Sequence, residues 1–299
     1  MYIGRFAPTP SGPLHFGSIV TAIASFLDAK SNKGKWLLKI DDIDEPRVRD
    51  GSVSEILKGL ERLGLAWDDH VIYQSQRKEQ YQFYINDLKK KGLLYNCNCS
   101  RKTINNSSLT GPHGLIYKGT CREKNLKNQT GSSIRIKVVD DDISIIDNIQ
   151  GEISQNIHND IGDFILKRSD DIFSYQFSVV VDNHLDNISH IIRGYDLINS
   201  LPRQFYLHKV MGFDFPKSSH IPIATLGRKK LSKGHGDRIL IQNYENLIWM
   251  NALTFLGQPT QNSYLSMTVE DIIQHAIKGW SKNKVKGFAE REIDEHAHR

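Results

Sequence analysis

The stretch Arg5-Phe6-Ala7-Pro8-Thr9-Pro10-Ser11-Gly12-Pro13-Leu14-His15-Phe16-Gly17-Ser18 decides how this 299-residue chain is read. The apolar run from Tyr2 to Ala7 reads as a strand, which three prolines and a glycine then stop. Beyond His15, the pairs Ile19-Val20, Ala22-Ile23 and Phe26-Leu27 recur at the spacing of one helix face. A strand, a tight turn and a helix thus bring a histidine and several backbone N–H groups to a helix N-terminus. Unpaired donors and the helix dipole favour phosphate there. Alone, the stretch also fits an ordinary strand-to-helix turn, so the rest of the chain has to choose.

Outward from it, Lys35-Trp36-Leu37-Leu38-Lys39-Ile40 reads as a second strand. It ends in the acidic cluster Asp41-Asp42-Ile43-Asp44-Glu45, where open α/β sheets place their ligand sites. Residues 52–63 form an amphipathic helix stopped by Gly64, residues 67–74 a loop and short strand, and residues 77–91 a helix ending at Gly92. Strands alternating with helices predict an α/β fold with a Rossmann-type parallel sheet.

The alternation breaks at Tyr95. Residues 95–150 are rich in Asn, Ser, Lys, Gly and Asp, with short strand candidates at 133–139 and 143–146, and read as an insertion. The pattern then resumes with a strand at 164–167, an apolar run at 173–181, a strand at 188–193 and a helix at 202–211. A last strand at 220–224 leads into the basic loop 227–234, and helices follow at 246–256 and 269–277. The charged residues 281–299 read as a frayed or disordered tail. The expected organisation is a catalytic domain in two halves, 1–94 and 151–240, around the insertion 95–150. A small C-terminal helical part with the tail occupies 241–299.

Hydrophobic content of 39% and charged content of 24% predict a soluble globular protein. No apolar run approaches the ~20 residues that cross a bilayer. The N-terminus lacks the pattern of a signal peptide, so a cytoplasmic protein without a membrane partner is expected. A net charge of +5 permits a polyanionic partner without requiring one. The three cysteines, Cys97, Cys99 and Cys121, fall close together in the insertion, and their odd number argues against a disulfide framework. Three thiolates suit a tetrahedral structural Zn²⁺ that needs a fourth ligand, for which chemistry alone favours the imidazole of His113.

Three stretches now line up: residues 10–18, Lys39-Ile40-Asp41-Asp42-Ile43-Asp44, and Lys229-Lys230-Leu231-Ser232-Lys233. Together they resemble the class I aminoacyl-tRNA synthetases, whose ATP site is built from a HIGH motif and a KMSKS loop. His15-Phe16-Gly17-Ser18 is similar to the first and Lys230-Leu231-Ser232-Lys233 to the second. The residues before the histidine, the Ile-Asp-Asp-Ile-Asp block, Val181-Asp182-Asn183-His184 and Ile192-Arg193-Gly194-Tyr195-Asp196-Leu197 are similar to the glutamyl branch.

The resemblance implies activation of L-glutamate by ATP, with Mg²⁺, to an adenylate. His15, Ser18, Lys230 and Lys233 would be catalytic, and His15, Gly17, Ser18 and Lys233 would hold ATP. Arg5, Phe6, Ala7, Pro8, Thr9, Asp41, Tyr175 and Arg193 would bind glutamate, with the guanidinium of Arg5 forking onto its side-chain carboxylate. It also implies a zinc site of Cys97, Cys99, Tyr117 and Cys121, the tyrosine four residues before the last cysteine. The chain departs from the family at Ser18, where the motif ends in histidine, and at Asp41, where glutamate is usual.

Only residues 234–299 follow Lys233, fewer than the helical anticodon-binding region of a full glutamyl enzyme. This resembles the branch's truncated paralogue, a monomer expected to esterify glutamate to queuosine at the wobble position of tRNA(Asp), whose anticodon loop would be the partner. A conventional glutamyl- or glutaminyl-tRNA synthetase and a non-catalytic RNA-binding paralogue are the alternatives.

Overall fold

In a computed structural model of the chain, which describes residues 1–111, 114–124, 126, 131–226, 229–230 and 245–292, the opening stretch folds as strand β1 (Ile3–Phe6), a turn and helix α1 (Phe16–Ser31). The helix buries Ile19, Val20, Ile23 and Leu27. It is capped at its start by His15, whose side chain accepts from the N–H of Ser18. Gly34 turns the chain beneath β1, where an added Cβ would lie 2.4 Å from the carbonyl oxygen of Tyr2.

Strand β2 (Lys35–Ile40) follows, then α2 (Ser52–Arg62), β3 (Asp68–Tyr73) and α3 (Lys78–Lys90). β1 pairs with β2 and β2 with β3, both in parallel. β4 (Leu94–Cys97), α4 (Arg101–Ser107), β5 (Leu109–Gly111) and β6 (Gly114–Ile116) come next, then β7 (Ser133–Ile136), the hairpin of β8 (Asp142–Asp147) and β9 (Gly151–Asn156), and α5 (Ile157–Asp160). β10 (Ile165–Lys167) leads to α6 (Tyr175–Leu185), β11 (His190–Gly194), α7 (Leu201–Met211), β12 (Lys217–Ile221), β13 (Ile223–Leu226) and β14 (Lys229–Lys230). The chain continues with α8 (Glu245–Phe255), α9 (Val269–Gly279) and β15 (Glu290–Glu292). The apolar run at 173–181 is therefore mostly helix α6.

β11 and β12 pair in parallel, and β11 lies beside β1, where the N–H of Ser189 donates to the carbonyl of Ile3 at 2.9 Å. The strand order across this seam is β3-β2-β1-β11-β12, so the chain leaves β1 in opposite directions. Ligands bind outside the strand ends at such a reversal. The pairings also run across residue 150: β8, read with the insertion, joins β12 through Ser218 and Asp147. β10, read with the second half, joins β7 and β4 in a separate antiparallel sheet.

One core cluster buries α1, β1 and β2 together with Ile248, Trp249, Leu253, Ile272 and Ile273 of the C-terminal helices. Trp249 Nε1 donates to the carbonyl of Leu63 at 3.0 Å. Over its described residues, 281–292, the tail expected to fray is held in place. Val285 is buried, Lys282 and Trp280 both reach Asp28, and β15 adds to β13 in parallel. Its charges face outward while a few apolar and ion-paired side chains hold it. Among the described residues, no helix is long and apolar enough to cross a membrane.

Candidate active site

A cleft of about 310 Å³ opens at the seam between β1 and β11. Its walls include Arg5, Phe6, Ala7, Pro8, Thr9, His15, Gly17 and Ser18 of the opening stretch, with Asp41, Tyr175 and Arg193 brought in from distant parts of the sequence. Ser11, Leu14 and Asp196, which stand within the family-like stretches, also line it, as do Thr21 and the Pro222–Ala224 segment, to which the sequence assigned no role. Of the four residues expected to be catalytic, His15 and Ser18 lie at the cleft. Lys230 is described only as backbone, in β14 against Thr225 of β13, and Lys233 lies outside the described residues.

His15 closes the N-terminus of α1. Its Nδ1 accepts from the N–H of Ser18 at 3.4 Å and its Nε2 lies 3.0 Å from Ser18 Oγ. The serine in place of the motif's last histidine thus grips the first histidine through both of its own polar groups. Gly17 gives the ring room, because a Cβ there would lie 3.2 and 3.3 Å from His15 Cε1 and Nδ1.

Arg5, at 6% exposure, and Arg193, at 3%, both line the cleft. No ion pair to either is found among the described residues, and Arg5 Nε and Arg193 Nη2 are buried without a hydrogen-bond partner. Arg193 is held by neutral groups: Nη1 donates to Gln204 Oε1 at 2.8 Å and to Tyr175 Oη at 3.4 Å. Burial pushes the Arg5 guanidinium below its usual range and nearby Arg193 adds to this, against Tyr175, Asp41 and Asp182. Two desolvated guanidiniums with open N–H groups are a receptor for a carboxylate or phosphate.

Asp41, also in the cleft's lining, is buried, with Oδ1 3.4 Å from Lys39 Nζ. Burial raises its pKa to about 6, with Asp182 adding and Lys39 opposing. Behind it Asp182 accepts from Lys39 at 2.7 Å, Gln74 and Tyr81 at 2.8 Å and Arg77 at 3.0 Å. Asp182 stands in a stretch similar to the glutamyl branch, but nothing in the sequence shows these partners, which are 100 or more positions away.

Away from the cleft, Cys97, Cys99 and Cys121 place their sulfurs within 4.8 Å of one another, a cluster that could hold a metal ion. Tyr117 Oη lies 3.3 Å from the sulfurs of both Cys97 and Cys99 and accepts from the N–H of Cys121. Gly162, at φ +70°, lets the chain approach Tyr117, where a Cβ would lie 2.4 Å from its carbonyl oxygen. Three sulfurs and a phenol oxygen converging on one point are a donor set that fits a tetrahedral metal. His113 lies outside the described residues.

Fold and site together define an α/β protein of the Rossmann type whose cleft sits at the switch point of a parallel sheet, under a helix N-terminus. The sequence profile of the tRNA synthetases class I (E and Q), catalytic domain, matches residues 3–295. The chain is 41% identical over 280 residues to a glutamyl-Q tRNA(Asp) synthetase of Pseudomonas putida, covering 93% of this chain and 92% of that protein. It is 39% identical over 287 residues to the protein of the same name in Dechloromonas aromatica, covering 95% of each. Its structure resembles the crystal structure of a glutamate-tRNA synthetase from Elizabethkingia anophelis, with TM-score 0.82 and 25% identity. That match covers 99% of this chain and 69% of the other. The chain belongs to the class I tRNA synthetases of the E and Q type, and within them to the group of the glutamyl-Q tRNA(Asp) synthetases.

Proposed function

We propose that this chain activates L-glutamate with ATP and transfers the glutamyl group to the queuosine base at the wobble position of tRNA(Asp). The observation that carries the first half is the pair of buried guanidiniums, Arg5 and Arg193, with unpartnered N–H groups in a cleft headed by a helix N-terminus. Glutamate offers a second carboxylate to that pair, while its α-ammonium would meet Asp41, which lines the same cleft. Its α-carboxylate then attacks the α-phosphorus of ATP, and the bond to the pyrophosphate oxygen breaks. The protein positions the groups and stabilises charge. His15, Gly17, Ser18 and the N–H groups they bring would hold the triphosphate, and Lys230 and Lys233 the departing pyrophosphate.

The second half follows the two relatives, whose names give tRNA(Asp) as the substrate and which match over nearly their whole length. A hydroxyl of the queuosine base attacks the carbonyl of the adenylate and AMP leaves. ATP–pyrophosphate exchange dependent on glutamate tests the activation step. Charging of purified tRNA(Asp), with and without queuosine and after periodate oxidation of its 3′ end, tests the acceptor. Loss of charging on oxidation would instead favour a conventional synthetase acting on a 3′-terminal ribose.

Cys97, Cys99, Tyr117 and Cys121 would hold a structural Zn²⁺, which cross-links the segments that bear them. Metal content near one equivalent after mild purification is expected; less than half an equivalent counts against the site.

A further inference from the structure

Arg193 leads to a second layer that neither its motif nor the cleft displays. Its Nε donates to His220 Nε2 at 2.8 Å. A guanidinium carries only donors, so Nε2 is the acceptor and the imidazole proton sits on Nδ1. That proton faces Asp147 Oδ2 at 2.7 Å. The other oxygen of Asp147 accepts from three backbone N–H groups, of Ile149 at 3.1 Å and of Gln150 and His220 at 3.0 Å. The carboxylate is thereby pinned to the β8–β9 turn and to β12, and His220 is fully buried.

We propose that Asp147 and His220 are positioning residues for Arg193: Asp147 locks His220 as the Nδ1–H tautomer, so that Nε2 accepts from Arg193 and leaves Nη2 open to the substrate's carboxylate. This rests on the reading of the cleft as the glutamate site. A carboxylate placed directly on Arg193 would orient it as well, but would neutralise it and compete with the substrate. A neutral imidazole orients the guanidinium and leaves its charge for the ligand. Placing Asp147 one residue further back fixes the tautomer at a distance. Burial holds His220 below its usual range, with Arg193 adding and Asp147 opposing. Burial pushes the Asp147 carboxyl up, but the hydrogen bonds from His220 and the backbone outweigh this and keep it below the usual range.

The variant that tests this is Asp147→Asn, measured by ATP–pyrophosphate exchange. The three backbone donors demand an oxygen at Oδ1, so the amide nitrogen faces His220 Nδ1. The proton then moves to Nε2, where it opposes Arg193 Nε. The relay predicts a glutamate KM raised about tenfold or more, since a hydrogen bond to a charged group is replaced by a donor–donor clash, with the ATP KM unchanged. Adding His220→Gln, whose amide oxygen can face Arg193, should recover most of that loss. A glutamate KM unaltered in Asp147→Asn, glutamate and ATP KM rising together, or a double variant worse than the single one would overturn the relay. Should Asp147→Asn not fold, His220→Gln and His220→Leu decide: the relay requires the glutamate KM of Leu to exceed that of Gln about tenfold, and equal values sink it. Wild-type exchange is the control, because its absence overturns the glutamate reading itself.

Discussion

Two buried polar networks flank the cleft, and they are built on opposite principles. Around Asp182 the charges are matched: Lys39 and Arg77 lie against its carboxylate, Arg77 also grips Asp186, and Tyr81 and Gln74 complete the shell. Around Arg193 the partners are neutral, namely His220, Gln204 and Tyr175, and the like-charged Arg5 stands nearby. A buried charge left unmatched by the fold is costly unless something else completes it. The first network reads as scaffold, and the second as half of an interaction whose other half is the ligand.

The largest effect that would break this contrast concerns folding. Asp182→Ala leaves Lys39 with only the longer pair to Asp41 and Arg77 with Asp186 alone, so denaturant unfolding should show a loss of roughly 3–5 kcal/mol. Arg193→Met should cost less, about 1–2 kcal/mol, because the buried acceptors of His220 and Gln204 lose their donor while removal of an uncompensated charge relieves Arg5. A comparable stability loss in both would erase the distinction.

Next comes the ligand side. Arg5→Ala and Arg193→Met should each lose glutamate activation, with a glutamate KM raised roughly 30-fold or more, corresponding to the ~2–5 kcal/mol lost with one partner of a buried charge pair. ATP binding, followed by direct titration, should largely survive. Equal loss of both ligands in Arg5→Ala would make Arg5 structural.

The Asp41 wall gives a pH test. The carboxyl titrates near 6 in the free protein, raised chiefly by burial, and only its ionised form attracts an α-ammonium. kcat/KM for glutamate should therefore fall as pH drops through about 6, and Asp41→Asn should lack that limb. The smallest change expected is Gly17→Ala. Its methyl group would crowd the His15 ring and raise the ATP KM a few-fold with little change in melting temperature.

Much of the fold was legible because its signals are local. Prolines and a glycine end β1, the spacing of Ile19, Val20, Ile23 and Leu27 marks α1, and Gly64 and Gly92 mark helix ends. The family motifs likewise pointed to the residues that share the cleft. Less legible was whatever depends on strand pairing across long separations. Composition drew a boundary at residue 150, yet β8 pairs with β12 and β10 with β7. Charge along residues 281–299 concealed the few contacts, Lys282 with Asp28 and β15 with β13, that hold residues 281–292 in place.

By itself the sequence determined the chemical inventory: a helix-capping histidine, an acidic cluster after β2, arginines in two strands and three clustered cysteines. Residue type and short spacing suffice for these, because hydrophobic period, caps and motif order are all local properties. Only the tertiary structure decided which charges are compensated. Whether Arg5 or Arg193 meets a carboxylate depends on seating β1 beside β11 and on the neighbours that β12, α6 and α7 bring to them. The opening stretch alone is a helix start hospitable to phosphate. The fold sets it at a cleft with two buried guanidiniums that no ion pair among the described residues neutralises.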